Sequence, residues 1–223
     1  MRRTVSVVGD GTTAYQAAVA VPPGVATDDY MLMLRTGSDT KPGADWTQIA
    51  RHINPSTGDE SRHSLHGKFW AGETSITPAP DATDGSIWQA TMILLRGVDP
   101  KRPFYSKSGD ASEFFLANQP QSRYMPSLPS PRSGLYVNFL SVVGNYAYTN
   151  PQPPSGLGMV QTSGFLVMAH LIHHARVAGT AVTPAYFYNP YTTVGGGVDD
   201  GVPAWETGVF FADSAPGGTR MIV

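Results

Sequence analysis

Three histidines fall within residues 170–174 of the stretch HLIHHARVAGTAVTPA. Imidazoles this close suggest metal ligation, or acid–base work beside a nucleophile. A zinc-protease helix needs His-Glu-x-x-His, with the glutamate acting as base between two ligands on one helix face. His170 and His174 have the i, i+4 spacing, but Leu171, Ile172 and His173 lie between them, and the next glutamate is Glu206. The thirteen aspartates and four glutamates fall mostly in turn-like segments, and no spacing pairs two of them for carboxylate catalysis. The chain has no cysteine, which removes disulfides, thiolate ligands and cysteine nucleophiles together.

Other short patterns fail on their context. Gly9-Asp10-Gly11 lacks the third glycine of a dinucleotide loop and the lysine of a P-loop, and it reads as a hairpin turn. Ser38 and Lys41 have S-x-x-K spacing, but Pro42 and Gly43 follow at once, where the nucleophile should open a helix. Asp199-Asp200-Gly201 lacks the alternating ligands of a calcium loop. No catalytic, cofactor-binding or metal-ligating residue is nominated, no cofactor is expected, and the chain reads as something other than an enzyme. The histidines read as strand residues with structural or interface roles. The sharper alternative is a metal on a trimer axis, with one histidine from each chain.

The candidate contact residues are aromatic. Tyr186, Phe187, Tyr188 and Tyr191 lie in the Gly-rich segment 185–202 and are expected to form a loop that packs or contacts a neighbouring subunit. Stacking on a cell-surface glycan is the alternative. Trp88 and Trp205 open apolar segments and are expected against the core, each indole N–H reaching a loop carbonyl.

Short apolar segments position these residues. Residues 5–8, 17–21, 30–34, 64–70, 87–95, 135–143, 165–172 and 206–211 alternate with Gly and Pro turns, the signature of an all-β chain. The expected fold is a jelly-roll-like β-sandwich with one short helix near 111–118, where Asp110 and Glu113 have capping-box spacing. Residues 119–133, with four prolines, read as an extended connection between halves 1–104 and 134–223 of a single domain.

Those halves are weakly alike. SLHGKFWAGETSITPA (64–79) lies beside LIHHARVAGTAVTPA (171–185), matching Ala71-Gly72 with Ala178-Gly179 and Thr77-Pro78 with Thr183-Pro184. His63 then falls opposite His170 and His66 opposite His173, while Trp88 is matched with Trp205. A shared pattern with an insertion in one loop is what duplicated units produce.

Composition narrows the partners. A formal net charge of -2 provides no basic field for nucleic acid, and charged residues are only 14% of the chain. No apolar run is long enough to cross a membrane as a helix, and MRRTVSVVGDG has no signal-peptide core, so synthesis without a secretion signal is expected.

Four phrases carry a family resemblance: VAVPPGVATDDYMLML (19–34), Gly43-Ala44-Asp45-Trp46-Thr47, KFWAGET (68–74) and WQATMILLRGVDPKRPF (88–104). Together they resemble the β-sandwich domain of minor tail proteins of tailed bacteriophages and prophages, of the actinobacteriophage kind. The resemblance covers residues 5–104 and, through the second half, 134–213 more loosely. It implies a structural protein of the virion, at or near the tail tip, with other tail proteins as partners and a homo-oligomer as its assembly. A carbohydrate-binding adhesin and a capsid decoration protein are the alternatives.

Overall fold

The computed structural model describes residues 3–37, 41–53, 62–78, 88–104, 106–107, 111–115, 121–124, 133–143, 146–148, 158–165, 168–177, 186–189, 191–193 and 202–214. In the first half run β1 (Ser6–Val7), β2 (Thr12–Tyr15), β3 (Val19–Ala20), β4 (Tyr30–Thr36), β5 (Thr47–Ile53), β6 (Arg62–Phe69), β7 (Ser75–Ile76) and β8 (Gln89–Arg96). The second half adds β9 (Ser106–Lys107), β10 (Ala111–Phe115), β11 (Gln121–Tyr124), β12 (Gly134–Val143) and β13 (Tyr146–Tyr148). It continues with β14 (Gly158–Phe165), β15 (Met168–Val177), β16 (Tyr186–Asn189), β17 (Tyr191–Thr193) and β18 (Val202–Ala212).

The described chain is an all-β sandwich, and each of its two six-stranded antiparallel sheets draws its strands from one continuous run of the sequence, residues 6–96 for the first and 106–212 for the second. The first sheet has the order β5-β6-β4-β8-β1, with β2 also on β8; the second has the order β14-β15-β12-β18-β10, with β9 also on β18. The four long strands follow the same order in both sheets, and β1 and β2 run in turn along β8 as β9 and β10 do along β18. Each outer ladder is also interrupted at the same place: the register shifts between Gln48 and Ala50 on β5, and between Met159 and Gln161 on β14. The second shift lies against Ile172 and His173, as the first lies against Leu65 and His66.

The central strand of each sheet is covered on both faces, which explains its unbroken apolar character. All seven residues of β4 are buried. By alternation Tyr30, Leu32 and Leu34 enter the layer between the sheets, where they meet Leu65, Ile93 and Leu95 of their own sheet. Leu135, Val137, Phe139, Ile172, Val209 and Phe211 fill that layer from the other side. Met31 and Met33 point the opposite way, into a second cluster with Trp46, Trp88, Met92 and Leu94. Each such side chain contributes about 1.5–3 kcal/mol by leaving water.

The N-terminal segment straps the sheets together at the Tyr30–Leu135 end. β1 pairs with β8, and just before it the Val5 N–H donates to Asp213 Oδ1 at 2.9 Å. Arg176 donates to the Val5 carbonyl (2.9 Å) and to both carboxylate oxygens of Asp213 (2.9 and 2.7 Å). The Ser214 N–H donates to the Arg3 carbonyl at 3.1 Å. Gly97, at φ +85°, packs so tightly under the strap that an added Cβ would lie 2.4 Å from the Thr4 carbonyl oxygen. At the neighbouring turn, Arg96 donates to both oxygens of buried Asp29 (2.9 and 2.7 Å) and to the Gly24 carbonyl (2.9 Å).

Several local expectations are corrected. Instead of opening a helix at 111–118, Ala111–Phe115 form β10, paired with residues 202–206 of β18; residues 116–118 lie outside the described residues. Pro120 allows such a helix only about two turns, too short to be stable alone, whereas the edge of β18 supplies a ready ladder. The extended connection 119–133 contains β11, which pairs with β16. Gly9-Asp10-Gly11 is not a hairpin, because β1 and β2 run one after the other along β8, with Gly9 at φ +58° between them. Phe165 closes β14 and β15 begins at Met168, so the expected segment 165–172 spans parts of two strands.

Candidate functional site

The residues best able to do chemistry meet inside the sandwich. Thr36 on β4 is paired with His63 on β6, and Ser141 on β12 with His170 on β15. Alternation turns all four toward the opposite sheet. There each histidine bonds the hydroxyl of the other sheet: His170 Nε2 to Thr36 Oγ1 at 2.7 Å, and His63 Nδ1 to Ser141 Oγ at 2.9 Å. Thr36 and Ser141 hydrogen-bond each other between them. His170 Nδ1 continues to Thr91 Oγ1 (2.7 Å), which meets Thr13 Oγ1 (2.8 Å). The result is one chain of six side chains: Thr13, Thr91, His170, Thr36, Ser141 and His63. The His63 ring stacks on Trp205 at 5.8 Å and on His52 at 6.2 Å.

Burial fixes the charge state of the chain. Thr36, Thr91, Ser141 and His170 are fully buried, and His63 is 1% exposed. Removal from water pushes both imidazoles down to about 3, with the nearby charges of His52 and His170 adding to the effect at His63. Both rings are therefore neutral near pH 7, each with one donor and one acceptor nitrogen. In one consistent arrangement Thr91 donates to His170, His170 to Thr36, Thr36 to Ser141, and Ser141 to His63. The reverse arrangement satisfies the same groups.

A serine hydroxyl 2.9 Å from an imidazole is the spacing of a nucleophile and its base. Here it is sealed: both groups lie between the sheets, where no substrate carbonyl can approach. Among the described residues no orienting acid accompanies them either, since β2, β4, β5, β6, β8, β12, β14 and β15 contain no aspartate or glutamate. The arrangement can bind the two sheets to each other and move protons along its length.

A second polar group lies on the outer face of the second sheet. Asn138 Nδ2 donates to Glu206 Oε1 at 2.8 Å, and the Tyr136 hydroxyl donates to Asn138 Oδ1 at 3.3 Å. Burial, with the Glu206 charge beside it, pushes the Tyr136 hydroxyl far above the usual phenol range. His173 sits on this same face, directly across from Asn138, and is pushed down to about 4 by burial and then by the charge of His174.

The structure thus divides the histidine cluster. His170 enters the inter-sheet layer, His173 the outer face, and half-buried His174 lines an open cavity of about 390 Å³ with Arg176, Asp10 and Gly9 at the rim. Among the described residues no group of three or more His, Cys, Asp or Glu is placed to hold a metal. The aromatic phrase is also divided, and it is not a loop. Tyr186, Phe187 and Tyr188 lie on β16 against β11, whereas Tyr191 lies on β17 opposite Tyr148. Asp199-Asp200-Gly201 falls outside the described residues. Trp205 is fully buried as expected, but its indole N–H has no hydrogen-bond partner among the described residues.

Sequence reasoning singled out His170 but missed Thr36, Ser141 and Thr91. A usable signal was present: Thr36 ends YMLMLRT and Ser141 closes LYVNFLS, each level with the histidine of its half. No protein-family model, curated protein or solved structure matches this chain.

Proposed function

We propose that this chain is a structural subunit that works by assembly, and that the assembly is the tail of a tailed bacteriophage, at or near its tip. The observation that supports the non-catalytic part is the sealing of the Ser141–His63 pair between the sheets, with no acid behind it among the described residues. The two-sheet sandwich supports a building-block role, since such folds serve binding and assembly widely; fold alone does not select the particle. The tail assignment rests on the phrases in residues 19–104 that resemble minor tail proteins. Partners are then other tail proteins and further copies of the chain around the tail axis.

Electron microscopy of the assembled particle, with antibody against this chain, tests the assignment. Label at the tail tip is the expected result; label spread over the capsid lattice overturns it in favour of a decoration protein. A second expectation concerns the aromatic segment. Replacing Tyr188 and Tyr191 together with alanine is expected to weaken self-association by about tenfold or more, as loss of interface tyrosines does. Sedimentation velocity over a concentration series reads this out. Unchanged association with lost adsorption to host cells would transfer the segment to glycan recognition.

A further inference from the structure

We propose that the hydroxyl–imidazole chain is an acid-operated latch: protons taken up by His63 and His170 part the two sheets at the Thr36–Ser141 end, while the strapped end stays closed. The latch does not depend on which particle the chain belongs to.

The geometry carries the inference. Every inter-sheet hydrogen bond of this cluster runs through Thr36, Ser141 or Thr91 to an imidazole, or directly between Thr36 and Ser141. The first proton fits without breaking any of them. With His170 charged, both its N–H groups donate outward, Thr36 passes the direction on to Ser141, and Ser141 still donates to His63 Nδ1. A second proton, on His63, reverses that last bond. One hydroxyl hydrogen between the two rings is then left without an acceptor, and two cations share a dry layer.

Among the described residues, no carboxylate faces the pair to offset those charges. From β5 comes His52, stacked on His63; from β2 comes Tyr15, paired with Gln89 of β8; from β18 comes Trp205. Arg35, Arg51 and Arg62 alternate onto the other face of their sheet, and β14 has no ionisable residue. Glu206 faces outward, to Asn138. Both imidazoles have values of about 3 in the closed sandwich, against an ordinary 6.5 once hydrated. The open form therefore binds more protons below pH 6.5, and the closed form loses ground as pH falls from there toward 3. Each pH unit in that window shifts the balance by about tenfold per histidine. The other end is held differently, by Arg176 with Asp213, by backbone bonds to Arg3 and Val5, and by Tyr30, Phe211 and Leu95.

Because the chain has no cysteine, single thiols can report on each end. Leu34→Cys lies at the latch end and Leu95→Cys at the strapped end, both positions being fully buried. Labelling with dithiodipyridine, which reacts at acid pH, is compared with a free thiol between pH 7 and 4. Labelling of Leu34→Cys is expected to rise by about tenfold or more per pH unit below 6, with Leu95→Cys protected over the same range. In the His63→Gln, His170→Asn background the rise disappears. Equal rises at both positions, no rise at either, or a rise that survives loss of both histidines would each overturn the latch. Should the double variant fail to fold, histidine titration by NMR on the natural chain decides. Either ring titrating above pH 6 in the closed sandwich overturns it; neutral signals that persist until the closed form is lost support it.

Discussion

Trp205→Ala is expected to remove about 3–5 kcal/mol of unfolding free energy, the largest loss from any single truncation in the inter-sheet layer. For a chain of this length that is a fall of roughly 10–15 °C in the thermal midpoint, read by circular dichroism. Trp205 is among the largest fully buried side chains, and its ring stacks on His63, which bonds across to the other sheet. Truncation leaves a void in the inter-sheet cluster and frees the imidazole to tilt away from Ser141. Trp205→Phe is the informative companion. It deletes a buried N–H that has no acceptor among the described residues, so part of the lost packing is offset. The phenylalanine chain is expected to lie much closer to the natural protein than to the alanine chain. Equal losses would mean that the indole nitrogen is bonded after all.

Gly97→Ala is expected to cost about 2–4 kcal/mol, far more than an ordinary surface substitution. Two penalties combine there. A side chain at φ +85° is strained by roughly 1–2 kcal/mol, and its Cβ would collide with the backbone of Thr4, which cannot swing aside as a side-chain tip could. Gly72 separates the two effects: it sits at φ +109° with nothing within 4 Å of an added Cβ. Gly72→Ala therefore carries the conformational penalty alone, and the difference in urea denaturation between the two variants measures the hold of the strap. Equal costs would show that the strap yields freely.

The fold class was legible because strand periodicity and turn chemistry are local. YMLMLRT, LYVNFLSVV and MILLR could hardly be anything but buried strands, and the strands β4, β8 and β12 contain them. Where the sequence misled, a competing partner lay far away. Residues 111–115 have a helix start signal, yet the edge of β18, about ninety residues on, supplies a ladder. TQIARHI (47–53) carries two basic side chains and a polar start, so it gives little strand signal, yet it forms the outer strand β5 because β6 offers it an edge. The tryptophans show how fine the limit is. Matching Trp88 with Trp205 by letter is one residue out of register: Thr36 pairs with Gln89 as Ser141 pairs with Trp205. A one-residue slip reverses the face, so Trp88 packs with Met31 and Met33 while Trp205 enters the layer between the sheets. The histidine match, by contrast, places His63 and His170 at like positions in their sheets. What they bond to was hidden, because the contact joins residues 78 and 134 apart in sequence and depends on how two whole sheets stack.

The strap also bears on how the chain reaches its native state. Val5 waits for Asp213, 208 residues later, and Arg3 for Ser214. On a ribosome, the strands of the first sheet all emerge before the second begins, so their ladders can form early. The inner row of Tyr30, Leu32, Leu34, Ile93 and Leu95 must then stay uncovered until β12 and β18 arrive. With most contacts joining residues that are not neighbours in sequence, folding belongs to the slow regime of non-local β topologies, milliseconds to seconds rather than microseconds. The vulnerable species is a half-made sandwich with one greasy face, and the strap can close only after residues 213 and 214 have been made.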